Sequence, residues 1–122
     1  MRTAITTLTL VALTLLASCS GRNGKEIEDA VRYGEELQSE RLFSEAMEVY
    51  SDAEAKALKY GDQYNLGTIY RQMARIYNAT GNNIDEIIYL DKAIEAFEAA
   101  GKPYNTLHVY FESGVARYNI QD

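Results

Sequence analysis

After residue 25, apolar positions recur at intervals of three and four, and strict alternation is absent. That spacing marks one face of an α-helix. Ile27, Ala30, Val31, Gly34 and Leu37 form a stripe that predicts a helix over 26–39. Ala46, Met47, Tyr50, Ala53 and Ala57 predict a second over 44–60. Ile69, Tyr70, Met73, Ala74 and Tyr77 predict a third over 63–79. Leu90, Ala93, Ile94 and Phe97 predict a fourth over 84–99, and Leu107, Tyr110, Phe111, Gly114 and Tyr118 a fifth over 104–119.

The breaks between stripes carry turn chemistry. Gly61 and Gly101 suit the left-handed residue just past a helix end. Pro103 suits the first turn of the helix that follows. Ser44 is placed to cap the second helix, and Asn83 with Glu86 reads as a capping pair for the fourth. Short turns between such helices make neighbouring helices antiparallel.

The chain also matches itself at a spacing of 40 residues. Gly61, Tyr64, Asn65 and Tyr70 recur as Gly101, Tyr104, Asn105 and Tyr110, Ala53 recurs as Ala93, and Gly34, Ala74 and Gly114 share one register. A fixed period of this length is the mark of a stacked repeat. Within the unit, Ala46, Tyr50 and Ala53 follow the spacing A-x3-Y-x2-A, with Gly34 twelve residues before Ala46. This resembles the tetratricopeptide repeat over roughly residues 27–122. In that family the first helix of each pair carries a small residue where the second crosses closely, and the second helix carries small-aromatic-small. The period here is 40 residues, against 34 in the standard unit, so longer helices are expected. The implied fold is all-α, an α-solenoid of about five helices in two and a half repeats. Tyr50, Tyr70, Tyr77 and Tyr110 fall on repeat positions and read as core, with Tyr64 and Tyr104 as packing residues.

Residues 1–18 read as an export signal. Arg2 supplies a short basic start, and Ile5 to Ala17 is an apolar stretch diluted by threonines. That stretch is shorter than the roughly 20 apolar residues needed to span a bilayer. It ends in Leu16-Ala17-Ser18-Cys19, which resembles the bacterial lipobox. The resemblance implies cleavage between Ser18 and Cys19, and a diacylglyceryl group and fatty acid carried covalently on Cys19. It implies a protein lipid-anchored to a membrane of the bacterial cell envelope. Residues 19–25 then read as the lipidated cysteine and a polar, glycine-containing tether, and 26–122 as the repeat domain.

Charge and chemistry narrow the function. The net charge is −6, and removing Arg2, the sole charged residue before Cys19, leaves −7. An acidic surface argues against nucleic acid, which needs clustered Lys and Arg. A single cysteine and a single histidine, His108, cannot make a zinc set. The glycines lack phosphate-loop spacing, and no other cofactor site is legible. Glu35-Glu36 and Asp85-Glu86 are consecutive; they diverge by about 100° on a helix and cannot flank one substrate atom. No catalytic or metal residue is therefore expected.

What remains is surface. The resemblance implies that first helices line a groove for a protein or peptide partner. Carried over, the groove positions are Glu28, Glu35 and Gln38 in the first unit and Arg71, Arg75 and Asn78 in the second. Arg71 and Arg75, four apart, could receive a carboxylate or pair with neighbouring acids. Val109, Phe111, Val115 and Ile120 lie off or at the margin of the main stripe of the fifth helix, so that helix reads as apolar on more than one side. This suggests a truncated array missing a sixth helix, with a tendency to self-associate. The expected role is a non-enzymatic, lipid-anchored interaction scaffold. An exported sensor fragment of a repeat-containing regulator is the alternative, and an accessory subunit for nutrient uptake is a third.

Overall fold

All four turns of the chain close in the same way, 20 residues apart. The backbone N–H groups of Leu42, Asp62, Asn82 and Lys102 donate to the carbonyls of Leu37, Ala57, Tyr77 and Phe97 at 2.8–3.0 Å. The residue before each donor is left-handed: Arg41 at φ 63°, Gly61 at 66°, Gly81 at 79° and Gly101 at 66°. This closure satisfies the last carbonyls of each helix and reverses the chain. The 40-residue unit is thus two equal halves. The regularity at Arg41 escapes a search for glycine.

In the computed structural model, the backbone is described for residues 2–121 and the side chains for residues 21–121. The chain is all-α: α1 (Arg2–Ser39), α2 (Phe43–Tyr60), α3 (Gln63–Ala79), α4 (Asn83–Ala99) and α5 (Pro103–Ile120). Consecutive helices pack on one another, and α1 also meets α3. The arrangement is that of stacked antiparallel pairs, as in tetratricopeptide repeats. Among the described residues no helix is long and apolar enough to cross a membrane.

Three local expectations are corrected. Helix α1 starts well before residue 26, and residues 20–25 are helical where a flexible tether was expected. The Asn65 side chain donates to the Gly24 carbonyl at 3.5 Å, so this turn of α1 sits beside the start of α3. The cap of α2 is Leu42, which makes no side-chain cap, and Ser44 lies inside the helix. The cap of α4 is Asn82, whose Oδ1 accepts from Asp85 N at 3.3 Å, one residue earlier than Asn83. Glu86 is released for another contact. The export signal, with Ser18 and Cys19, lies outside the residues whose side chains are described.

The repeat register sets the core. Ala46, Tyr50, Ala53, Ile69, Ala93 and Val109 are at most 1% exposed. Gly34 lets α2 cross α1 closely: a Cβ there would collide with the Tyr50 ring edge, 2.8 Å from Cζ and 2.9 Å from Cδ1. Gly67, which the repeat comparison passed over, does the same for α4, with Phe97 Cδ1 2.6 Å from a would-be Cβ. Burying one such ring stabilises the fold by about 1.5–3 kcal/mol, so each crossing is a principal attachment of its pair. Burial also pushes the Tyr70 hydroxyl up to about 12, helped by a hydrogen bond to Glu54.

Helix α5 reverses its expected orientation. Val109, Ser113 and Ala116 face the core, although Val109 was placed off the stripe. Leu107, Tyr110, Phe111 and Tyr118, expected in the core, are exposed, and Gly114 meets nothing within 4 Å of a would-be Cβ. Tyr104 is exposed as well, and Tyr64 is partly so, tilted against Phe97 with ring centroids 6.0 Å apart. With apolar residues on two faces, the face that packs is the one α4 reaches.

Candidate interaction surface

The first helices of successive pairs are joined by polar side chains at matching positions. Gln72 of α3 donates to Glu35 of α1 at 2.6 Å. Forty residues on, Glu112 of α5 lies 3.7 Å from Arg75 of α3. Arg71 completes the second bridge: its Nε and Nη2 donate to both Glu112 oxygens at 2.6–3.2 Å. Burial opposes ionisation of Glu112, but the hydrogen bond and charge of Arg71, with Arg75 and His108, outweigh it and hold the carboxyl below its ordinary range. The carboxylate that Arg71 and Arg75 receive is therefore internal.

Most of the other groove candidates are engaged too. The Tyr50 hydroxyl donates to Gln38 Oε1 at 2.9 Å. Asn78 Nδ2 donates to both oxygens of Glu86 at 3.1 and 3.2 Å. Glu28 and Glu35 line a polar hollow between α1 and α3, together with Lys25, Arg32 and Tyr64. The six residues thus do not converge on one site. Glu35, Gln38, Arg71, Arg75 and Asn78 bind helix to helix, while Glu28 stays at the rim. Sequence reasoning missed Glu112 as the partner of both arginines. The signal was present, because the Gln72–Glu35 bridge and the Glu112–Arg75 pair share one register.

Among the described residues, the largest group of exposed apolar side chains is on α5. Tyr104 is 80% exposed, Leu107 and Phe111 70%, Tyr118 67%, Tyr110 52% and Val115 44%. Two shallow apolar hollows flank the helix. One lies between Pro103, Leu107, Tyr110 and the end of α4, the other between Tyr104, His108 and Phe111. The polar groups nearby are few. The Tyr110 hydroxyl donates to Glu98 at 3.0 Å, a bond that raises its pKa. Arg117 pairs with Asp91 of α4 at 2.8 Å and so fixes the C-terminal half of α5. The result is an apolar face with a polar edge. Chemically it can bury hydrophobic surface and presents no nucleophile–base pair.

No protein-family model, no curated protein and no solved structure matches the chain.

Proposed function

We propose that this chain is a non-catalytic protein-interaction scaffold of the bacterial cell envelope, lipid-anchored through Cys19, that receives its partner on α5. The observation carrying this reading is the α5 face, where six large apolar side chains are between 44% and 80% exposed. Contiguous apolar surface of this kind marks interaction sites in soluble domains. The Leu16-Ala17-Ser18-Cys19 box supports the anchor. Two or three acyl chains, at about 0.8 kcal/mol per buried methylene, would hold the protein stably at a membrane.

Two variants test the reading. Cys19→Ala should abolish labelling by an alkynyl fatty acid and move the protein from membranes to the soluble fraction. Leu107→Glu with Phe111→Glu should abolish partner capture from solubilised envelopes while leaving the helical circular dichroism unchanged. Normal labelling and fractionation of Cys19→Ala would overturn the anchor. Unchanged capture by the α5 variant would overturn the scaffold.

A further inference from the structure

The open face of α5 has two covered counterparts in the same molecule. Leu107, Tyr110 and Gly114 lie 40 residues after Gly67, Tyr70 and Ala74, which are buried where α4 packs on α3. They lie 80 residues after Ile27, Ala30 and Gly34, which α2 covers on α1. The two counterparts differ in where they leave room. On α1 a large residue, Ile27, is followed seven positions later by Gly34. On α3 the glycine comes first, with Gly67 in the register of Ile27 and Ala74 in that of Gly34.

The covering helices answer each pattern. Helix α2 sets the Tyr50 ring against Gly34 and carries Ala57 in the register of Ile27. Helix α4 carries Leu90 in the register of Ala74 and sets the Phe97 ring against Gly67. Both Ala57 and Phe97 are buried, at 0% and 1% exposed, so a ring in place of Ala57 would collide with Ile27, and an alanine in place of Phe97 would leave a void over Gly67. On α5 the sequence is Leu107 then Gly114, the pattern of α1 and not of α3.

We infer that the open face of α5 is a docking site for an amphipathic helix of a protein partner, lying antiparallel to α5, with a tyrosine-sized aromatic residue over Gly114 and an alanine seven residues later over Leu107. The inference rests on the scaffold reading and gives its partner a chemistry. The Gly114 notch takes the ring, as the Gly34 notch takes Tyr50. Leu107, 70% exposed, fills the space above the alanine. A helix with a bulky residue at both positions would be held off by Leu107. The interface is thus selective by shape, with apolar burial as its driving force.

A peptide of residues 42–61, the α2 sequence, is the probe. Dye-labelled and titrated with the full chain, it should bind saturably at one copy per chain. Gly114→Leu should weaken binding by roughly tenfold or more. That variant should fold, since nothing lies within 4 Å of a Cβ at residue 114. Replacing Tyr50 of the peptide by alanine should weaken binding similarly. A peptide of residues 82–101, the α4 sequence, should bind about tenfold more weakly, because its phenylalanine meets Leu107. Equal affinity for the two peptides, or indifference to Gly114→Leu, would overturn the inference. A sedimenting dimer of the free chain that Gly114→Leu dissociates would assign the face to a second copy instead. No peptide binding beside capture that still depends on Leu107 and Phe111 would sink the helix and leave the scaffold. No peptide binding beside capture that ignores them would sink both.

Discussion

The ring of Tyr50 occupies the space that a side chain at residue 34 would need. Gly67 and Phe97 stand in the same relation, whereas Gly114 has open space above it. One substitution should therefore have two signs. Gly34→Ala and Gly67→Ala should each lower stability by about 1–3 kcal/mol, through overpacking against a ring. Gly114→Ala should raise it by about 1 kcal/mol, because alanine is the better helix former. Urea unfolding followed by circular dichroism checks the series. Loss of stability in all three variants would contradict the packing described.

The turn at Arg41 makes a second contrast. Three of the four left-handed turn residues are glycine, and the fourth pays the steric cost of a side chain. Gly61→Arg should cost about 1 kcal/mol. Arg41→Gly should gain less than Gly61→Arg loses. The Arg41 guanidinium stacks 5.2 Å from the Phe43 ring centroid, a contact worth about 0.5 kcal/mol at an exposed site. Paired thermal melts of the two variants measure both effects.

Acid should loosen the join between α3 and α5. The folded carboxyl of Glu112 titrates below its unfolded value. Its contribution is complete above the ordinary glutamate range and is lost as pH falls through the depressed folded value. Glu112→Gln should flatten the acid limb of the stability curve. It should also cost about 2 kcal/mol near neutral pH, because Arg71, 18% exposed, loses its charged partner. Unfolding midpoints measured across the acid range, with and without the substitution, decide this.

Asn65 ties the early part of α1 to the array. It is 5% exposed and bonds both the Gly24 carbonyl and, at 2.7 Å, Asp62 Oδ2. Asn65→Ala should cost about 1–2 kcal/mol. Amide exchange should accelerate most in residues 21–27, which the bond holds. Equal acceleration throughout the chain would mean that Asn65 stabilises the fold without placing that turn.

The helices were legible because the same contacts are written at a fixed interval. Ala53 and Ala93, or Gly61 and Gly101, announce themselves as one position seen twice. The caps were less legible: Leu42 starts α2 with no side-chain cap although Ser44 follows, and a one-residue shift between Asn82 and Asn83 leaves the pattern unchanged. The orientation of α5 could not be read, because both of its faces are apolar and only the position of α4 decides between them. Tyr110 and Tyr70 match in sequence, yet one is 52% exposed and the other 9%. What differs is the neighbour. The groove residues were found as a set, but their roles were hidden in Glu112, a partner on another helix 41 residues from Arg71.

The Gly24 carbonyl held by Asn65 also bears on distance from a bilayer. Cys19 lies five positions before Gly24, and even a fully extended chain covers only about 17 Å over that span. An acylated Cys19 would therefore dock the α1 end of the array almost against the lipid headgroups. The start of α3, which Asn65 joins to that turn, would then face the same leaflet.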